Sequence, residues 1–203
     1  MSRPKESYNL IITGVGGQGN VLSSQMIGQT FVSKGYFTTI GETYGATQRG
    51  GPVMSHIRIS SERQLSPLIP KGKADIVVAL EPVEGLRVLT QYGNRETVVL
   101  VNTRPIYPLD VTSGNAKYPE MDEIKKSLEG LSRKVYYIAA TEMAIKMGSS
   151  ILGNTIMIGA LLELAILPVS MEEFRQTLSK NFGEKRLEIN LLALEEGRRT
   201  IKA

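Results

Sequence analysis

The spacing of hydrophobic residues changes several times along the chain, and each change marks an element. Residues 8–13 form a short apolar run closed by Gly14, after which apolar residues recur at helical spacing through residues 21–32. This predicts a strand, a tight turn and a helix. Lys34 and Gly35 stop that helix, and residues 36–40 are β-branched and aromatic enough to form a second strand, expected beside the first. A glycine-rich loop is expected over residues 41–52. Residues 53–59 then alternate, with Val53, Ser55, Ile57 and Ile59 on one face and Met54, His56 and Arg58 on the other, as in a half-exposed, antiparallel strand.

Residues 75–80 and 97–101 are nearly continuous apolar runs, the pattern of parallel strands covered on both faces, with a helix between them over residues 82–89. Residues 135–139 form a further strand, and residues 105–119, punctuated by Pro and Gly, are expected to be irregular. The rest is helical. Residues 141–147 stop at Gly148, and Asn154 is expected to cap a buried helix that is apolar nearly all round. Ser170 with Glu173 makes a capping-box pattern, and Leu187, Leu191 and Leu194 form one stripe opposite Glu188, Glu195 and Arg199. The alternation of strand and helix predicts an α/β domain with a three-layer, Rossmann-like, mostly parallel sheet and helices on both faces. A helical C-terminal third completes it, and residues 1–203 make one domain.

Composition narrows the chemistry more than the fold. The chain has no cysteine and one histidine, so it offers no thiolate nucleophile, no cysteine-ligated iron–sulfur cluster and no ordinary Cys/His zinc site. Its net charge of +4 is modest and its basic residues are scattered, which argues against a nucleic-acid surface. The longest apolar stretch, residues 156–167, is interrupted by Glu163 and is too short for a membrane span. Residues 1–7 are polar with no apolar core, so no secretory signal is expected and the cytoplasm is the expected location.

Two stretches carry candidate chemistry. Gly14-Val15-Gly16-Gly17-Gln18-Gly19 fits G-x-G-x-x-G between a strand and a helix, where backbone N–H groups can face an anion. Glu42 is placed where a dinucleotide-binding protein holds a ribose. The glycines would serve equally to let the first helix pack on the sheet. The second stretch, residues 41–51, sets Glu42, Tyr44, Gln48 and Arg49 among glycines that include Gly50 and Gly51, at the edge where ligands of open α/β sheets bind. Arg49 suits a carboxylate or a phosphate, or else a local salt bridge. Glu81 and Glu84 could face the same crevice or act as helix-dipole partners, and His56 is expected to be structural.

Taken together, these stretches resemble the gamma subunit, or gamma domain, of the 2-oxoacid:ferredoxin oxidoreductases, most closely the beta subunit of indolepyruvate oxidoreductase. The resemblance covers nearly the whole chain. It rests on the glycine motif, on residues 41–51, on Lys73-Ala74-Asp75 with Glu81-Pro82-Val83-Glu84, and on Asn102-Thr103-Arg104-Pro105. Asn20 and Pro52 depart from the pattern. The resemblance implies an accessory subunit, inactive alone, of an enzyme that oxidatively decarboxylates 2-oxoacids to acyl-CoA. Thiamine diphosphate and iron–sulfur clusters would lie on a larger partner chain, coenzyme A would join in the complex, and ferredoxin would take the electrons. It implies no metal and no cofactor on this chain, and no catalytic residue at a numbered position. Two alternatives are an independent NAD- or flavin-binding Rossmann-type oxidoreductase and a pure interaction module.

Overall fold

The computed structural model describes residues 6–45 and 51–202 of the chain. Its centre is a six-stranded sheet built from β1 (Ser7–Val15), β2 (Phe37–Tyr44), β3 (Pro52–Ser60), β4 (Ile76–Ala79), β5 (Val98–Asn102) and β6 (Lys134–Ile138), in the order β2-β3-β1-β4-β5-β6. The pairs β1–β4, β4–β5 and β5–β6 are parallel, as the continuous apolar runs require, whereas β3 runs antiparallel to both β1 and β2. The second strand is therefore not beside the first. The alternating strand β3 lies between them; on its second face Met54 and Arg58 are half-buried, as the alternation suggested, whereas His56 is fully enclosed. Because β1 and β2 each oppose β3, they run in the same direction, and their carboxyl ends share one edge.

The pleat divides the core in two. Ile11, Val77, Ala79, Val99 and Val101 face one side, where α2 (Pro82–Tyr92) and α4 (Met121–Leu131) cover them with Val88, Leu89, Ile124 and Leu128. Leu10, Ile12, Ile57, Val78 and Leu100 face the other, under α1 (Asn20–Ser33) and the C-terminal helices. Each such fully buried side chain contributes about 1.5–3 kcal/mol relative to an exposed one. Among the described residues, α4 was the helix that the sequence reading left unplaced. Its short apolar stripe, Ile124 and Leu128, sits in an otherwise charged segment. A one-turn helix, α3 (Leu109–Thr112), interrupts the irregular stretch before it.

The C-terminal third packs as α5 (Ala140–Lys146), a 3-10 turn (Ser150–Leu152), α6 (Gly153–Glu163), α7 (Met171–Asn181) and α8 (Glu184–Lys202). Helix α6 buries every residue from Gly153 to Leu162, which explains its all-round apolar sequence. Helix α8 crosses it at backbone distance: a Cβ on Gly197 would sit 1.9 Å from the Ile156 carbonyl oxygen, and one on Gly159 would sit 2.1 Å from that of Leu194. Helix α7 starts with the expected capping box, Ser170 and Glu173 bonding reciprocally. The Lys34 ammonium meets Glu173 at 2.7 Å, and this bond, followed by the Ser170 N–H, holds the Glu173 carboxyl down at about 2.

Candidate functional site

The site grows from the shared carboxyl edge of β1, β4 and β5. Strand β1 ends in the glycine turn, where Gly17 and Gly19 adopt φ of 105° and 85°, a left-handed backbone that glycine enters without strain. Gly19 is the N-cap of α1, with no side-chain cap and no acidic residue in the first turn. Gly14 is small for a different reason, since a Cβ there would lie 2.5 Å from Gln18 Oε1 and 3.0 Å from Leu80 Cβ. Gly16 donates its N–H to the Gly51 carbonyl at 2.9 Å, and Gly45 donates to Pro52 at 2.8 Å. The base of the connection between β2 and β3 is thereby fastened against the glycine turn.

The expected loop over residues 41–52 is shorter than the sequence suggested, because Gly41, Glu42, Thr43 and Tyr44 continue β2 in register with His56, Ser55, Met54 and Val53. Gln48, Arg49 and Gly50 lie outside the described residues. Glu42 is engaged on both carboxylate oxygens, by Ser24 Oγ at 2.9 Å and Ser55 Oγ at 2.7 Å. It ties α1 to the sheet, a structural role that the two serine hydroxyls account for. Tyr44 is 57% exposed at the strand end. Gln18 also points inward, its Oε1 accepting from the Val15 N–H at 2.7 Å and its Nε2 donating to the Leu80 carbonyl at 2.7 Å.

Two clefts flank the turn. One, of about 740 Å³, is lined by Gly16, Gly17, Gly19, Asn20, Tyr44 and Val53. Asn20, one of the departures from the family pattern, is buried there with Nδ2 on the Val53 carbonyl at 3.2 Å and Oδ1 unpartnered among the described residues. The other cleft, of about 550 Å³, lies between the turn and the start of α6 and includes Gln18, Asn102, Arg104, Thr141, Gly153 and Asn154. Among the described residues its lining contains no carboxylate, and Arg104 pairs outside it with Glu142 at 3.6 Å.

Asn154 is not the cap that the sequence suggested. It stands inside α6, one residue after Gly153, and Leu152 occupies the N-cap. Its side chain approaches Gly19, where a Cβ would come within 2.2 Å of Nδ2. One end of the amide meets Thr155 Oγ1 at 3.1 Å, and the other, at the cleft, has no hydrogen bond among the described residues. Sequence reasoning missed this contact because Asn154 comes from the far end of the chain. A single polar residue near a helix start resembles an ordinary cap.

Glu81 and Glu84 divide their roles. Glu81 is 2% exposed, caps α2 by accepting from the Glu84 N–H at 2.8 Å, and also accepts from the Tyr118 phenol. Burial, then this hydrogen bond, pushes the Tyr118 phenol well above its ordinary range, so it remains a donor. Glu84 is raised by burial against the opposing effect of Arg87, with Glu81 adding to the rise. Both acids are accounted for by the capping and packing of α2. Among the described residues, no group of His, Asp or Glu is placed to hold a metal ion.

The fold is a mixed, mostly parallel α/β sheet with a glycine turn after β1, an antiparallel β3 and a helical C-terminal cover. Residues 9–200 match the pyruvate ferredoxin/flavodoxin oxidoreductase family, and the chain belongs to it. It is 39% identical over 189 residues to the indolepyruvate oxidoreductase subunit IorB of Archaeoglobus fulgidus, covering 93% of this chain and 92% of that one. The IorB of Thermococcus kodakarensis is 34% identical over 198 residues, 97% of each chain. The fold is shared with pyruvate oxidoreductase subunit PORC of Thermotoga maritima, at 22% identity and a TM-score of 0.72, covering 96% of this chain and 97% of that one. It is shared too with the 2-oxoglutarate:ferredoxin oxidoreductase of Magnetococcus marinus, at 24% identity and a TM-score of 0.76. That structure has 2-oxoglutarate, coenzyme A and succinyl-CoA bound, and this chain, covered over 98% of its own length, spans 32% of it.

Proposed function

We propose that this chain is the accessory subunit of an indolepyruvate-type 2-oxoacid:ferredoxin oxidoreductase, the enzyme that converts a 2-oxoacid to acyl-CoA. The observation that carries the reading is the end-to-end match to IorB subunits, at 34–39% identity. The relatives named for ketoisovalerate and pyruvate stand lower, at 29% and 23%. A chain without cysteine has no thiolate for an iron–sulfur cluster, so the clusters, with thiamine diphosphate, belong on a larger partner chain that passes electrons to ferredoxin.

This chain's own contribution is the cleft beside the glycine turn. The Gly17 N–H makes no hydrogen bond among the described residues, and the free end of the Asn154 amide lines the same cleft, beside the start of α1, which has neither a side-chain cap nor an acid. Such a cleft favours an anionic group by amide donation and by the helix dipole. The phosphates of coenzyme A, which the Magnetococcus enzyme binds, have that chemistry, and Gly17 and Asn154 would hold one. Gln48, Arg49, Gly50 and Gly51 remain, from the sequence pattern, proposed contacts of a ligand or of the partner. When bound, coenzyme A supplies the thiol that accepts the acyl group.

Co-purification of the chain with the larger subunit, followed by iron and thiamine analysis of each separated chain, tests the reading. Iron and thiamine should stay with the larger chain. Stoichiometric iron or thiamine on this chain would overturn it.

A further inference from the structure

A further concave surface adjoins the cleft at the start of α6 and is filled by none of the described residues. It lies where α1, the 3-10 turn before α6, and the α7–α8 junction meet, with a volume of about 430 Å³. Leu22, Met26, Leu152, Ile158, Phe182 and Ile189 give it an apolar lining. Leu22 and Ile151 remain 42% and 53% exposed, and Ile151 lines both this groove and the neighbouring cleft. Ser23, 2% exposed, contributes a hydroxyl with no hydrogen-bond partner among the described residues. Arg186 is the one charged side chain of the lining, and it makes no ion pair among the described residues.

An apolar groove left open to water raises the free energy of the isolated chain relative to a covered state, and the exposed Arg186 at its edge offers a cation to whatever covers it. One kind of occupant answers both features. We propose that this groove seats a segment of the larger subunit in which a bulky apolar side chain fills the pocket and a neighbouring Asp or Glu pairs with Arg186. The inference rests on the subunit reading above and adds where the partner docks and what chemistry it presents. The charge sets the partner's sign, because a guanidinium at the edge of an apolar pocket gains most from a carboxylate that forms a charge-assisted, two-point hydrogen bond. Apolar anchors in pockets of this kind carry most of the affinity of a protein interface.

The test uses this chain and the larger subunit from the same organism, with affinity measured by titrating one into the other. Wild type should bind, Leu22→Asp and Arg186→Glu should each weaken binding by about tenfold or more, and Arg186→Lys should retain most of it. Since Leu22 and Arg186 are exposed, thermal unfolding of the isolated variants should match wild type, which separates lost docking from lost folding. If wild type binds and both disruptive variants bind equally well, the groove is not the docking site. If wild type itself does not bind the larger subunit, the subunit reading fails instead. A dimer of the isolated chain that Leu22→Asp and Arg186→Glu both dissolve would assign the groove to a second copy and overturn the proposal.

Discussion

Gln18 reaches from the glycine turn to the Leu80 carbonyl just beyond β4, donating through Nε2 at 2.7 Å, while its Oε1 accepts from the Val15 N–H. The residue that interrupts the glycines is thus a brace between two strand ends. Gln18→Ala removes both bonds, and although Asn102 still donates to the Leu80 carbonyl at 3.0 Å, the Val15 N–H loses its partner. The expected loss is about 1–3 kcal/mol in urea unfolding. A variant as stable as wild type would show that the glycines hold the turn unaided.

Glu42 occupies the place of a ribose-binding acid, but Ser24 and Ser55 take both of its oxygens. Calorimetric titration with NADH should therefore show no tight complex. A dissociation constant near 1 μM, about −8 kcal/mol, would restore the dinucleotide-binding alternative.

The surroundings of two helical glycines, one at the contact between α6 and α8 and one in α4, predict opposite outcomes for the same substitution. Gly197→Ala sets a methyl group 1.9 Å from the Ile156 carbonyl oxygen, so the helices must separate, at a cost of about 1–3 kcal/mol or more. Gly130→Ala, in α4, meets nothing within 4 Å and should stabilise the chain by about 0.4–1 kcal/mol through the unfolded state. Thermal unfolding of the two variants checks both signs.

His56 predicts a pH dependence. It is fully buried, accepts from the Ile69 N–H at 3.4 Å through Nδ1, and is lowered below 6.5 by burial. Well above pH 6.5 both folded and unfolded chains hold it neutral, and it adds no slope. Below pH 6.5 the unfolded chain binds a proton that the folded chain refuses, so stability falls with falling pH, by at most about 1.4 kcal/mol per unit. In His56→Gln, which keeps an acceptor but does not titrate, that part of the slope should vanish between about pH 6.5 and 5. Equal slopes for the two proteins would assign the acid sensitivity to other groups.

The parallel strands, the capping box and the buried α6 were legible because each is written in local spacing. Residues 75–80 and 97–101 need burial on both faces, and Ser170 and Glu173 are three residues apart. Strand order was not legible in that way. Placing β3 between β1 and β2 depends on pairings such as Leu10 with Ile57 and Ile40 with Ile57, which no local pattern states. The glycines at 41 and 45 disguised the continuation of β2 as a loop. Gly41 is glycine because a Cβ would meet the Pro67 carbonyl oxygen at 2.9 Å. The site was half legible: the turn was readable from its glycines, whereas the inward roles of Gln18 and Glu42 and the arrival of Asn154 beside Gly19 depend on tertiary contacts.

The most direct test of the subunit reading is 2-oxoacid-dependent reduction of ferredoxin or a viologen dye, measured for this chain alone and after addition of the larger subunit, with coenzyme A present. With no cysteine to bind an iron–sulfur cluster, the chain alone should give no turnover, and activity should appear when the larger subunit is added. Turnover by the isolated chain, with no larger subunit in the assay, would contradict the account.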